Sequence, residues 1–220
     1  MAKQKKKKKK KQHRVFWFFI KLQIFLMVLI LGGLCFYFGG YADKVAKLHS
    51  EAVELVQKSD KNTFLPARTS TLYDTNGDEI SETATTKKAD YVKYEDIPQN
   101  FVNCMVSIED KKFYKHNGVD LKAIVRAAKS IIKNKRITQG GSTITMQLAR
   151  NIYLDTNKNW QRKVKEMFIA MELEKKYSKN DIMEFYLNNV YFMNGYYGIQ
   201  AACHGYFNCE LSDLYLSQTA

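Results

Sequence analysis

Proline is nearly missing from this chain: Pro66 and Pro98 are the only two in 220 residues. A proline inside a helix removes a hydrogen bond and clashes with the preceding turn, so everything after residue 98 is free to be helical. Acidic residues are missing from residues 1–40, where ten of the 35 basic residues lie. That places +10 of the formal +13 charge in the first forty residues and leaves only +3 for all the rest. Such a distribution marks a basic tail and excludes the domain-wide positive field of a nucleic-acid binder. The four cysteines form no C-x-x-C pair and no Cys/His spacing suited to a metal. Cys35 lies in an apolar run, and Cys104, Cys203 and Cys209 are an odd set in apolar or helical surroundings, which points to buried free thiols. Pairing of Cys203 with Cys209 is the one disulfide this leaves open. There is no internal repeat, and "RITQGGSTITMQLARN" lacks the Gly-Lys-Ser/Thr ending of a nucleotide loop.

What the first forty residues do hold is a long apolar run. From Val15 to Tyr41, "VFWFFIKLQIFLMVLILGGLCFYFGGY" is interrupted only by Lys21 and Gln23. A bilayer core of about 30 Å takes about 20 residues of helix, and this run supplies them. Lys21 lies near one end, where its long stem can carry the ammonium back to the headgroups. A secretory signal peptide would have a shorter apolar region and a small-residue cleavage pattern, which is poor around Phe36 to Tyr41. The run therefore reads as an uncleaved transmembrane helix over 15–41, preceded by a polybasic tail over 1–14. Positive charge stays on the cytoplasmic side of a membrane. The expectation is a single-pass membrane protein with a cytoplasmic N-terminus and a domain on the other side of the membrane.

Residues 42–68 read as a polar juxtamembrane linker helix, with Val45, Leu48, Val53 and Leu55 giving a partial stripe. "STLYDTNGDEISE" then sets Asn76-Gly77 between two short alternating runs, the pattern of a β-hairpin. From about residue 99 the pattern is helical. "DLKAIVRAAKSIIKNK" places Leu121, Ile124, Val125, Ala128, Ile131 and Ile132 on one face, which predicts a helix packed on a core. Trp160 to Lys176 has a main stripe of Trp160, Val164, Met167, Phe168 and Met171. "KNDIMEFYLNNVYF" follows a plausible cap at Ser178 or Asn180. The expected fold is mainly α, with a small extended or hairpin segment at its start and one transmembrane helix before it.

Carboxylates and cations carry whatever chemistry there is. In "NFVNCMVSIEDKKFYKHNG", Val102, Met105 and Val106 form an apolar face that Glu109 continues, so Glu109 is either a desolvated general base or, with Asp110, simply the end of a helix. In "NWQRKVKEMFIAMELEKK", the side opposite the main stripe carries Arg162, Glu166, Ile169 and Leu173. A helix apolar on both sides is enclosed, so Glu166 is expected to face a cleft; the alternative is a surface pair of Arg162 with Glu166 worth about 0.3 kcal/mol. Glu172 and Glu174 read as structural, with Lys176 a ready partner for Glu172. Arg150, Lys158, Arg162, Lys163 and Lys165 crowd the interval; such a run is either a solvated face or the holder of a polyanion, whose phosphate oxygens suit Arg forks. Ser142 or Thr143 can cap a helix running to Asn151, whose N-terminus favours an anion. Gly140 and Gly141 allow a close backbone approach to substrate.

Taken in order, these segments resemble the peptidoglycan glycosyltransferases, the module shared by class A penicillin-binding proteins and monofunctional transglycosylases. "EDKKFYKHNG" looks like the first motif, "GGSTITMQLARN" the second, "RKVKEMFIAMELE" the third and "IMEFYLNNVYFMNGYYGIQAA" the fourth. The resemblance covers about residues 69–220 and implies a lysozyme-like helical glycosyltransferase domain. It implies polymerisation of lipid II: the 4-hydroxyl of a lipid-linked disaccharide attacks the anomeric carbon of the growing chain and releases undecaprenyl pyrophosphate. On this resemblance Glu109 matches the general base and Glu166 the third-motif glutamate that assists the pyrophosphate or organises the cleft. Arg150, Lys158, Arg162, Lys163 and Lys165 would meet the pyrophosphate. Gly141, Ser142, Thr143 and Gln147 would line the donor site, with Asp110, Phe113 and His116 at the substrate cleft supporting Glu109. Partners implied are lipid II, the nascent glycan strand, the membrane and other cell-wall synthesis proteins, with no nucleic acid. No ligand cluster suggests a tightly bound cofactor, which leaves a loosely held divalent cation open.

Three departures from the family pattern stand out. Met146 replaces a common glutamine, Met193-Asn194 replace the usual glycine after "YF", and the chain stops at "LYLSQTA" inside what looks like a fifth motif. The last leads to the expectation of a C-terminally incomplete module with uncertain activity. Rival readings are a lysozyme-like lytic glycosidase, since two carboxylates in a helical cleft also describe one, and a catalytically weak membrane scaffold that binds lipid II. A transpeptidase is disfavoured: Ser130-Ile-Ile-Lys133 fits S-x-x-K, but no S-x-N or K-T-G follows.

Overall fold

A computed structural model describes residues 2–65, 70–76, 79–83, 91–134, 140–154 and 159–219. The chain divides into two compact units, Met1–Lys47 and Leu48–Ala220.

The first unit is helical. α1 runs from Ala2 to Phe38, so the lysine-rich stretch expected as a tail is continuous in backbone with the apolar run, consistent with the good helix propensity of lysine. Within it, Trp17–Phe38 is long and apolar enough to cross a membrane, with a mean hydropathy of 2.3. The expected span of 15–41 is shortened at its end, where Gly39 and Gly40 form a turn before α2, Tyr41–Lys58.

In the second unit, the later half of α2 is no free linker, although 42–68 was expected to be one. Ala52 and Val56 are buried in the core, a pair that the stripe of Val45, Leu48, Val53 and Leu55 did not single out. Lys176 explains the end of the helix by donating to the carbonyls of Val56 and Gln57, at 2.8 and 3.0 Å, and to that of Ser59. Lys176 is thus a C-terminal cap for α2, and the partner of Glu172 is Lys175 at 2.6 Å.

β1 (Ser70–Tyr73) and β2 (Glu79–Thr83) pair antiparallel, with Ser70 opposite Thr83 and a register shift between Leu72 and Tyr73. The turn begins with Asp74, whose Oδ1 accepts from Asn76 N at 2.8 Å, a side-chain mimic of a backbone turn. Gly77 and Pro66 lie outside the described residues.

The helices that follow are α3 (Gln99–Glu109), α4 (Leu121–Asn134), α5 (Ile144–Tyr153), α6 (Trp160–Lys176), α7 (Lys179–Asn189), α8 (Ile199–Phe207) and the short α9 (Leu216–Thr219). α5, α6 and α7 pack together at the centre, burying Ile144, Met146, Leu148, Ile169, Leu173 and Leu187. Phe64 stacks on Phe185 with ring centroids 4.1 Å apart. The α7 start is sharply specified: Ser178 Oγ accepts from Asp181 N, and Asp181 accepts from Ser178 N in return.

Two faces differ from the sequence expectation. On α4, Leu121, Val125 and Ile132 are 70%, 53% and 80% exposed and Ala128 is also exposed, so the apolar stripe does not pack on a core among the described residues. The helix instead approaches the chain through Ala123, Ile124 and Ala127, which crowd Gly141; the side chain of Ile131 lies outside the described set. On α6 the buried residues are Glu166, Ile169, Ala170 and Leu173, while Val164, Met167, Phe168 and Met171 are only half-buried. The side taken as secondary is the one that the core covers. All four cysteines are free, and burial pushes the Cys203 thiol up to about 11.

Candidate active site

The site begins where α3 ends. Glu109 is the last helical residue and Asp110 the cap, its N–H donating to Val106 O at 3.1 Å. These adjacent carboxylates turn opposite ways. Asp110 is buried; its Oδ2 accepts from Ile144 N at 3.2 Å and lies 2.7 Å from His116 Nε2. Glu109 is exposed, and its Oε2 accepts from Gln147 Nε2 at 2.8 Å. The expected desolvation of Glu109 is therefore absent: Val102 is buried and Met105 and Val106 pack on the core, but the helix stops as Glu109 reaches an open cleft.

That cleft encloses about 530 Å³ and is lined by Glu109, Lys112, Asp120, Arg126, Gly141 and Ser142 among others. Lys112, paired with Asp120 at 3.2 Å, and Arg126 are lining residues that sequence pattern did not single out. Lys112 could have been noticed inside the first motif. Nothing in the sequence separates Arg126 from Lys122, Lys129 and Lys133 on the same helix.

α5 forms the next wall. Thr143 caps it, Oγ1 accepting from Met146 N at 3.1 Å and donating to Gly118 O at 2.6 Å. Thr143 is buried, and it organises the wall of the cleft that it helps to line. The anion expected at this helix start is the protein's own: Asp110 occupies it through Ile144 N. Gly141 is tight for a related reason, because a Cβ there would come within 3.2 Å of Ala127 Cβ, whereas Gly140 has open space around it. The close approach is made to α4. Gly118 has φ +87°, and a Cβ would lie 2.5 Å from Ala170 O, so only glycine lets this segment rest on the backbone of α6.

α6 supplies the other carboxylate. Glu166 is 1% exposed, and its Oε1 accepts from Lys163 Nζ at 2.5 Å. The same ammonium donates to Ser142 Oγ at 2.7 Å, which ties α6 to the cleft wall. At this burial Glu166 lies neither at the surface nor open to the cleft; Lys163 stands between it and the lining. Oε2 of Glu166 and Nδ1 of His116 are buried with no hydrogen-bond partner among the described residues.

The remaining expected residues separate. Lys165 pairs with Glu51 of α2 at 2.7 Å, so it leaves the cation group around Lys163. Arg162 and Arg150 are half-buried on α6 and α5, and Arg150 lies close enough to Tyr186 for its charge to act on that phenol. Lys158 lies outside the described residues. Phe113 is fully buried, with Lys179 Nζ 4.4 Å over its ring; Lys179 also donates to His116 O at 2.8 Å. Phe113, Asp110 and His116 thus form one cluster, with His116 bonded to Asp110 and its ring against that of Phe113. Met146 is fully buried, so its departure from glutamine falls in the core. Met193 and Asn194 have φ of 72° and 49°, the left-handed region that glycine fills more readily.

The profile of the transglycosylase family matches residues 76–220, which takes in every element of this site. The chain belongs to the transglycosylase family. It is 43% identical over 161 residues to penicillin-binding protein 1F of Bacillus subtilis, covering 73% of this chain and 22% of that protein. Against the monofunctional glycosyltransferase of Staphylococcus epidermidis it is 40% identical over 140 residues, 60% of this chain and 52% of the relative. With penicillin-binding protein 4 of Bacillus subtilis the figures are 40% over 171 residues, 76% and 27%. The chain spans about a quarter of the length of the penicillin-binding proteins and about half that of the monofunctional enzyme. As a transglycosylase-family domain it has the mainly helical fold expected, with an N-terminal helix suited to anchoring it in a membrane.

Proposed function

We propose that this transglycosylase-family chain polymerises lipid II into peptidoglycan glycan strands at the cleft beside Glu109. The observation that carries this reading is an exposed, hydrogen-bonded carboxylate at a cleft whose lining serine also holds a lysine: Glu109 held by Gln147, and Lys163 held between Ser142 and Glu166. Glu109 takes the proton of the acceptor's 4-hydroxyl, and that oxygen forms a bond to the anomeric carbon of the growing chain. The bond from that carbon to the pyrophosphate breaks, and undecaprenyl pyrophosphate leaves with the electron pair. Lys163, Arg150 and Arg162 supply fixed positive charge for the departing oxygens. Ser142 and Gly141 shape the donor side.

Membrane anchorage suits a substrate that stays in the bilayer. The lysine-rich start of α1 favours a cytoplasmic N-terminus, with the cleft on the outer side. A lytic glycosidase acting on finished glycan would need neither the anchor nor a fixed cation for a pyrophosphate. Incubation of the detergent-solubilised chain with labelled lipid II decides between them. Polymer is expected; digestion of finished glycan without polymer would establish the lytic reading, and neither product would favour a lipid II-binding scaffold.

A further inference from the structure

Gln147 does not stand free at the cleft. Its Nε2 donates to Glu109 Oε2 at 2.8 Å, and its Oε1 accepts from the hydroxyl of Tyr186 at 3.3 Å. A carboxylate offers only acceptors, so the amide must turn its NH2 toward Glu109 and its carbonyl toward α7. A carbonyl in turn needs a donor, and Tyr186 is the residue that presents one. Its ring is 1% exposed and belongs to the core, so the hydroxyl cannot reach a substrate in the cleft. We propose that Tyr186 is a positioning residue for Glu109 that acts through Gln147, by fixing which end of the amide faces the carboxylate.

This rests on the reading of Glu109 as general base. An exposed carboxylate at a helix end samples several rotamers, and only some of them face an incoming hydroxyl. The bond from Gln147 ties one carboxylate oxygen, Oε2, and leaves Oε1 for the proton of the acceptor. Were the amide reversed, its carbonyl would face the carboxylate and the two would repel. Burial, and after it the negative charge of Glu109, hold the Tyr186 hydroxyl well above the usual phenol range, with Arg150 opposing. It therefore remains a protonated donor across the neutral range. α7 is itself anchored: Asn188 Oδ1 accepts from Val92 N at 2.8 Å, and its Nδ2 donates to Val92 O at 2.7 Å. Glu184 Oε2 accepts from Tyr94 N at 2.7 Å. The phenol thus projects from a fixed helix, whereas Gln147 is half-buried.

The experiment compares Tyr186→Phe, Gln147→Ala, the double variant and Glu109→Gln in the full chain with labelled lipid II. Tyr186→Phe keeps the ring and removes only the donor. We expect kcat to fall about tenfold with KM changed less than about twofold, since positioning is one part of the contribution of a general base. The double variant should be no slower than Gln147→Ala alone, because both act through one link. Parent kcat in Tyr186→Phe, or additive losses in the double variant, would overturn the relay while leaving the base assignment intact. Parent activity in Glu109→Gln would overturn the base assignment itself. A measurement independent of turnover follows the side-chain amide signals of Gln147 by NMR, assigned through their loss in Gln147→Ala. They should shift in Tyr186→Phe, and unchanged signals would overturn the relay.

Discussion

Glu109 closes an exposed helix end, while Glu166 sits at 1% exposure in the middle of α6, and the two differ most in what holds them. A neutral amide holds Glu109, and one carboxylate oxygen is left toward the cleft. An ammonium holds Glu166, and that ammonium is shared with Ser142. A proton acceptor must be reachable by its substrate, which suits the first arrangement. A buried acid paired with a half-exposed lysine is suited to aiming that lysine. On the proposed function, Glu109 takes the proton, while Glu166 holds the lysine that meets the departing oxygens.

Substitutions can break that division. The largest effect is expected from Glu109→Gln, which should lower kcat by about 10²–10⁴-fold, the range of general base catalysis, with an unchanged melting temperature because the side chain is exposed. Polymer formation and a thermal melt read the two arms; a large stability loss would show that Glu109 is structural after all. Lys163→Met tests the other side. It strands a buried carboxylate, and because the lysine is half-exposed a destabilisation of about 3 kcal/mol, the low end for breaking a buried pair, is expected in chemical denaturation. Adding Glu166→Gln should return most of that stability without returning activity. If it restores both, Lys163 has no role at the cleft beyond neutralising Glu166.

A third carboxylate provides the smallest and purely structural contrast. Burial pushes the Asp181 carboxyl up, but the Ser178 hydroxyl and Lys61 outweigh it and hold the group below the usual range. Its contribution to stability is then fully present above about pH 4 and is lost as pH falls through the lowered folded value. Ser178→Ala should cost about 1 kcal/mol and reduce the acid sensitivity contributed by Asp181. Urea melts between pH 3 and 7 measure both, and activity at neutral pH should be unaffected.

Much of the helical framework was legible in the sequence because its signals are local. The α6 bounds, the Ser178 cap and the Thr143 cap each depend on residues within one turn. The hairpin was likewise legible from Asn76-Gly77 between two short alternating runs, and β1 and β2 pair on either side of it. Faces were less legible. The α4 stripe is strongly amphipathic, yet Ala123, Ile124 and Ala127 make the contact at Gly141, and Leu121, Val125 and Ile132 stay exposed. On α6, apolar residues occur on two sides, and only the position of α5 and α7 decides which side becomes core.

The site divides along the same line. The residue types in their motifs pointed to Glu109 and Glu166, with Lys163 as one of five candidate cations beside Arg150, Lys158, Arg162 and Lys165. What they touch depends on segments far apart in the chain. Asp110 reaches Ile144 and so supplies the anion that this helix start was expected to favour. Lys165, two residues from Lys163, turns instead to Glu51 of α2. Gln147 spends its amide on Glu109 and Tyr186. Helix periods, caps and motif order are written in neighbouring residues, so the sequence by itself determined the elements and the family. Which carboxylate is exposed, which is buried and which cation each one holds depend on packing between elements, and those the tertiary structure alone decided.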